Sequence, residues 1–364
     1  MIKPKSNIEN LMRMKDFGTD RTPFIRFDKN ERTIPFPDAI FQGMLKTLSN
    51  ESLTMYPDQS PLYNKLSEFL AINKDYLLLA PGSDAAIKSI YETYVESGDG
   101  VLYLWPTYAM IDVYADMFEA KKVKIGYSDD LELDFKSLID HLEDDIKVVF
   151  IANPNQPTGT LLTEEQIEQL IQKTKETKSL LVFDEAYQAF SGHDSAVKYV
   201  KENPHIMVVQ TFSKAIGLAS VRLGYIVTQP ININWLYKVK SYADINLFAV
   251  KIGEYLLDNY SVVEEYIDSV NRSKDMLELE LGKLGIEIIK SYTNFVHLKF
   301  PEYYDLDLIA KKMKSKGYLI RTTGSGLPAV LEDCIRVTVG PPEQIKLFIK
   351  NLLPLLIDKT SGHL

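Results

Sequence analysis

The chain has 364 residues, 45% of them hydrophobic and 25% charged, proportions of a globular protein too long for one small core, so two domains are expected. A formal net charge of −9 argues against a nucleic-acid-binding surface, and no stretch approaches the roughly 20 apolar residues of a membrane span. Cys334 is the single cysteine, which excludes an intrachain disulfide and a thiolate metal site, and the five histidines (His141, His193, His205, His297, His363) show no ligand spacing.

The first residues lack the apolar core of a signal peptide, so a cytoplasmic protein is expected. Residues 1 to about 30 are charged and weakly periodic, and read as an arm. A helix follows Pro35 and Pro37, with Asp38 expected as its N-cap. Met55–Pro61 is a turn, and Leu62, Leu66, Phe69 and Leu70 then share one helical face. From about residue 75 short apolar runs alternate with helical stretches: Tyr76–Ala80, Val101–Leu104, Val123–Ile125, Val148–Ala152, Leu180–Phe183, Met207–Thr211 and Tyr225–Thr228. Their β-branched, unalternated character fits strands buried on both faces of a mostly parallel sheet with helices on either side. Leu247 to Lys283 reads as one long amphipathic helix or two. Strands are then expected at Ile286–Lys290, Phe295–Phe300, Tyr318–Arg321 and Ile335–Val339, in a smaller α/β domain. The division drawn from these patterns is an N-terminal arm (1–45), a large domain (46–245) and a small C-terminal domain (246–364).

Ligands in open α/β sheets gather at the carboxyl ends of the strands, and several such ends here carry unusual polar residues. Gly82-Ser83-Asp84 opens a helix whose free N–H groups suit a phosphate, the alternative being an ordinary N-cap at Ser83. Tyr108 can stack on a flat heteroaromatic ring or belong to a core. In Asn153-Pro154-Asn155-Gln156-Pro157-Thr158-Gly159 an amide can donate to a ring oxygen, although the same residues are plain turn chemistry. Asp184 ends a buried strand and needs a positive or hydrogen-bonding partner; a protonated pyridine nitrogen would serve, with Tyr187 reaching a ring oxygen. A metal-binding or capping acid is the other reading of Asp184. Thr211, Ser213 and Lys214 follow a strand, with Arg222 eight positions after the lysine. A lysine in such a setting attacks a carbonyl as a free amine and then carries protons, while the hydroxyls and the arginine hold a phosphate. An aldehyde that carries a phosphate is pyridoxal 5′-phosphate (PLP). Taken alone, Lys214 also reads as a surface lysine.

The ordered set Gly82-Ser83-Asp84, Pro106-Thr107-Tyr108, Asn153 to Gly159, Asp184-Glu185-Ala186-Tyr187 and Ser213-Lys214 with Arg222 resembles the fold-type I PLP-dependent aminotransferases. It is most similar to the histidinol-phosphate aminotransferase group of class II. The resemblance implies a large PLP-binding domain with a mostly parallel seven-stranded sheet between helices, plus a smaller α/β domain built from both chain ends, so that residues 1–45 also form part of the small domain. It also implies a homodimer, in which Tyr56 reaches the phosphate of the neighbouring subunit's cofactor. Arg336 is implied as the clamp on a donor carboxylate and Arg321 as the grip on an acidic substrate group, against the alternative of surface salt bridges.

The chain departs from the family's pattern at Ala85, at Gln156 and at Lys29-Asn30-Glu31-Arg32, which leaves open whether Asn155 or Gln156 meets the ring. The expected activity is an amino-group exchange between glutamate and a small keto or phosphorylated partner, histidinol phosphate first. Amino-sugar, small-phosphate or aromatic substrates are alternatives, as is a threonine-phosphate decarboxylase. A regulator domain would need a DNA-binding segment for which residues 1–30 are too short.

Overall fold

A computed structural model describes every residue except 1, 10, 12–17, 19, 325–326 and 361–364, and the backbone alone of 357–360. Gly326 and His363 lie outside the described residues. Its strands in chain order are β1 (Ile25–Arg26), β2 (Leu77–Ala80), β3 (Gly100–Trp105), β4 (Lys121–Gly126), β5 (Ile146–Ala152), β6 (Leu180–Asp184), β7 (Ile206–Thr211), β8 (Gly224–Thr228), β9 (Glu287–Ile289), β10 (Phe295–Lys299), β11 (Tyr318–Leu319), β12 (Arg321–Thr322) and β13 (Cys334–Thr338).

All seven apolar runs of the middle third are strands, and they form one sheet in the order β2-β8-β7-β6-β5-β3-β4. Only β8 runs antiparallel to its neighbours. Alternate residues of the same strands feed two separate cores. Leu102, Val149, Ile151, Phe183 and Val208 point to one, and Val101, Tyr103, Phe150, Val182 and Met207 to the other. Helix Ser83–Tyr94 closes the second face with Ala86, Ile87, Ile90 and Tyr91, while Glu164–Glu176 closes the first with Leu170 and Ile171. Two-sided covering is what demands unalternated strands. The exception is β4 at the sheet edge, where Lys121, Lys122 and Lys124 leave the strand largely exposed; charge on an edge discourages pairing with other chains.

Several local expectations change. Asp38 is the first helical residue of Asp38–Lys46, not its cap; Pro37 takes the capping position and offers no side-chain bond. Of the apolar face in helix Ser60–Phe69, Leu62 and Leu66 are fully buried, whereas Phe69 is partly exposed and packs on the ring of Tyr260. The long helical region is two helices, Leu247–Asp258 and Ser261–Gly282, and the first lies on helices Ser60–Phe69 and Asp38–Lys46. The run Tyr318–Arg321 divides between two sheets. Tyr318–Leu319 pairs in parallel with β1, and Arg321–Thr322 joins an antiparallel sheet in the order β12-β13-β10-β9. Through β1, and through Phe27 O accepting Thr338 N–H at 2.8 Å, the beginning of the chain is tied to its C-terminal third. No helix among the described residues is long and apolar enough to cross a membrane.

Phe150, fully buried in β5, stacks on Tyr91 with ring centres 4.9 Å apart. Its replacement by alanine leaves a void between sheet and helix, and should lower the unfolding free energy by about 3–5 kcal/mol in urea titrations without changing the secondary structure of the folded state.

Candidate functional site

The carboxyl ends of β5, β6 and β7 and the start of helix Ser83–Tyr94 converge on a cavity of about 460 Å³. Ser83, Asp84, Tyr108, Asp184, Tyr187, Thr211, Ser213, Lys214 and Arg222 line it from the large sheet, and Arg321 and Arg336 close it from the small one. Eleven residues singled out in the sequence thus meet in one space. Tyr56, Asn155 and Gly82 do not line it.

Gly82 nevertheless shapes it. With φ +87° and no side chain, it caps the helix without occupying the N–H groups of the first turn, so Ser83 is not the ordinary N-cap. A Cβ at Gly82 would sit 2.6 Å from Arg222 Nη2, and one at Gly224 would sit 2.7 Å from the Gly82 carbonyl carbon. Both glycines are therefore required for the close approach of β8 and the arginine to the helix start. Arg222 is held by Nη1 donating to Ser213 Oγ at 3.3 Å and to Ala219 O at 3.1 Å. Thr211 Oγ1 donates to Ser213 Oγ at 3.0 Å. A guanidinium, two hydroxyls and a helix N-terminus make an anion cup.

Asp184 ends β6 at 5% exposure and accepts the Ala186 N–H at 3.2 Å. Burial pushes its carboxyl up to about 6, against the opposing effects of that N–H and of the Lys214 charge. Among the described residues no basic side chain pairs with it. Tyr108 donates to Asp84 Oδ1 at 3.4 Å, and burial, with the charge of Asp84 next in weight, drives its phenol far above the ordinary value. Lys214 Nζ lies 5.6 Å from the Tyr187 ring centre and donates to Lys29 O at 3.2 Å.

The sequence leaves Asn155 and Gln156 both open as the amide that meets the ring, and the structure separates them by the bonds of Asn155. Its side chain, 1% exposed, donates to Pro106 O at 2.9 Å and Thr158 Oγ1 at 2.9 Å, and accepts from Thr107 Oγ1 at 2.8 Å. It is consumed in holding the loop, and Gln156 is the amide that lines the cavity. Tyr56 is 79% exposed, set edge-on to Tyr242 at 6.0 Å, so any role at a cofactor requires a second subunit.

Arg336, on β13, is 6% exposed and donates through Nη2 to Asp28 O at 2.9 Å, with Nε lacking a partner. No carboxylate pairs with it among the described residues, and burial holds its pKa below the usual value. Arg321 stands opposite it in the β12–β13 register. The surface salt bridge proposed as the alternative for Arg336 is absent.

Sequence reasoning did not assign the stretch Asp28–Glu31, which also lines the cavity. Arg21 bonds Asp28 at 2.5 Å and Glu31 at 3.0 Å, with Arg26 3.4 Å from Glu31. Burial raises the Glu31 carboxyl, but its bond to Arg21 and the charges of Arg21, Arg26 and Lys214 outweigh this and hold it below the ordinary value. An asparagine between charged residues after a short apolar run was the available signal: asparagine tolerates the left-handed conformation that Asn30 adopts at φ 55°.

The donor set fits PLP. The cup could take a phosphate, the uncompensated Asp184 could accept a pyridinium N–H, Tyr108 and Tyr187 could flank a flat ring, and Lys214, within the same cavity, could serve as the nucleophile.

The sequence profile of a family described as Aminotransferase class I and II matches residues 22–352. Histidinol-phosphate aminotransferase 1 of Carboxydothermus hydrogenoformans is 31% identical over 98% of this chain and 100% of its own length. Histidinol-phosphate aminotransferase of Brachyspira hyodysenteriae is 30% identical over 90% of this chain and 91% of its own. The crystal structure of histidinol-phosphate aminotransferase from Sinorhizobium meliloti, in complex with PLP, superposes with a TM-score of 0.85 at 22% identity over 98% of each chain, which shows the same fold.

The raised Asp184 pKa has a measurable sign. Its folded value lies above the unfolded value of 3.8, so it stabilises the cofactor-free protein most below pH 4, and that contribution is lost as pH rises through about 6. Asp184→Asn, which keeps an acceptor for Ala186, should therefore gain stability over the wild type between pH 4 and 7. The relative gain is about 3 kcal/mol in denaturant titrations of the cofactor-free forms.

Proposed function

The chain belongs to the class I and II aminotransferases, and we propose that it moves an amino group between glutamate and a polar, phosphorylated substrate, with histidinol phosphate and 2-oxoglutarate as the leading pair. One observation carries this reading: Arg336, a buried guanidinium with no carboxylate partner among the described residues, faces the cavity that holds Lys214. A side chain so arranged grips the carboxylate of an amino acid through charge-assisted bonds. The choice of histidinol phosphate is supported by the names of the relatives and by the second cation, Arg321, at the cavity mouth.

PLP, when bound, supplies the aldehyde that receives the amino group and the ring that draws electrons from the substrate Cα. Ser83, Thr211, Ser213 and Arg222 hold its phosphate. Asp184, as a carboxylate, keeps the ring nitrogen protonated. Tyr108 and Gln156 fix the plane and the edge of the ring. Lys214, once its nitrogen is free, moves the proton between the substrate Cα and the cofactor carbon. Arg336 and Arg321 set which group of the substrate points outward, and so which Cα bond is broken.

The same reading takes the protein as a cytoplasmic homodimer, with a large domain of residues 46–245. Tyr56, 79% exposed, and Tyr242, 91% exposed, meet edge to edge beside the exposed Leu53 and Met55, a patch of the kind that a second subunit covers. Tyr56 would then serve the partner's phosphate cup. Tyr242→Asp should convert the dimer to monomers in light scattering and weaken PLP retention.

Glutamate added to the PLP-loaded protein should shift the visible absorbance as the amino group is transferred, and release 2-oxoglutarate. Lys214→Ala should slow the exchange by about 10²–10⁴-fold. Arg336→Lys should raise the glutamate KM by about 10–100-fold, since the fork is lost while the charge remains. Absence of the shift with every amino donor tried would refute the transferase. Release of carbon dioxide instead of a keto acid would mark a decarboxylase.

A further inference from the structure

The backbone of Asp28–Asn30 runs between the two halves of the cavity and is bonded to both. Asp28 O accepts from Arg336, and Lys29 O accepts from Lys214 Nζ at 3.2 Å. Asn30 Nδ2 donates to the Tyr187 hydroxyl at 3.0 Å. Asn30 is 3% exposed and held on three other sides. Its N–H donates to Thr338 Oγ1 at 3.0 Å, its carbonyl accepts from Asn294 Nδ2 at 3.2 Å, and its Oδ1 accepts the Thr338 hydroxyl at 3.2 Å. The amide is thereby fixed with its nitrogen toward the tyrosine.

A tyrosine hydroxyl has one hydrogen to give and lone pairs to receive. With Asn30 bonded to a lone pair, the hydrogen of Tyr187 is left to donate, and among the described residues no protein atom accepts it. Tyr187 lines the cavity at 7% exposure. We propose that Asn30 is a positioning residue: it fixes the Tyr187 hydroxyl as a hydrogen-bond donor into the cavity, aimed at negative charge on the ring oxygen of bound PLP. The inference rests on the reading that PLP fills this cavity. A hydroxyl that accepts one bond is a stronger donor in its own, so the loss of Asn30 weakens the bond without removing the tyrosine.

The consequence is read in the cofactor's colour. A donor to the ring oxygen favours the form in which the linked Lys214 nitrogen has lost its proton and the ring keeps its negative charge. Removing the donor therefore raises the pH at which the visible absorbance changes. The charged groups that line the cavity with Tyr187 are Asp84, Asp184, Lys214 and Arg222 on the side of the large sheet, Arg321 and Arg336 from the small sheet, and Asp28, Lys29 and Glu31 beside Asn30. None of them changes in the variants below.

Glycine accepts φ 55° without strain and keeps both backbone bonds, so Asn30→Gly isolates the side chain. In the PLP-loaded protein, N30G should raise the midpoint of the absorbance titration by about 0.5–1 pH unit. Tyr187→Phe should raise it at least as far, and N30G added to Y187F should move it no further. Asn30→Asp, which keeps the bond from Thr338 and loses the donor, covers the case in which N30G does not fold; its new carboxylate raises the midpoint by charge as well, so only the part of its shift that Y187F abolishes counts for the role of Asn30. An unchanged midpoint in the variants, or an equal N30G shift in the Y187F background, would overturn the role of Asn30. A wild-type protein that develops no visible band with PLP would overturn the cofactor reading itself, and the proposal with it.

Discussion

A carboxyl at the end of a strand buried on both faces must either find positive charge or give up its own. Asp184 has a backbone N–H and the distant charge of Lys214, and these do not suffice to hold it at an ordinary carboxylate value. The fold thus leaves at this strand end an electrostatic demand that a cationic ring nitrogen would meet on the proposed reading. The tyrosines, the lysine and the hydroxyls and arginine at the helix start line the same cavity as that acid. On that reading, stability given up at one strand end would return as affinity once the cofactor is bound.

The second constraint is that the cavity belongs to two sheets. Residues of β5 to β7 supply the cofactor side, β12 and β13 supply the arginines, and the segment after β1 is bonded to both. Phe27 and Asn30 are bonded to β13, while Lys29 and Asn30 are bonded to Lys214 and Tyr187, so one stretch of backbone links the small sheet to the lysine. On the proposed reading, the residues that would grip substrate and the one that would move the proton share that stretch.

Much of this was legible beforehand. Strand ends in a sheet covered on both sides announce themselves by apolar runs that stop at a polar residue, and Asp184 and Thr211 each follow that rule. What escaped was anything set by side-chain direction. Asn155 and Gln156 are both amides in one turn, and only the fold shows that the first is spent on Pro106, Thr107 and Thr158. Asn30 looked like one polar residue among charged ones, since its meaning lies in contacts with residues about 160 to 310 positions away. The split of Tyr318–Arg321 between two sheets likewise depends on β1, a two-residue partner with no periodicity of its own.

The division of labour between Asn155 and Gln156 has a consequence for how such a site changes over generations. Asn155 shares the bonds that shape the loop with Asn153, Thr158 and Thr160, while the Gln156 side chain lines the cavity, so a change at 156 should disturb the loop less than a change at 155. Substrate preference and cofactor tuning can therefore drift at one residue under weak constraint, beside a neighbour under strong constraint. The anion cup shows the opposite arrangement: Gly82 holds φ +87° with the Arg222 guanidinium where its Cβ would lie, so a side chain at 82 would be strained and would displace the arginine, and that corner tolerates less change than the adjacent loop.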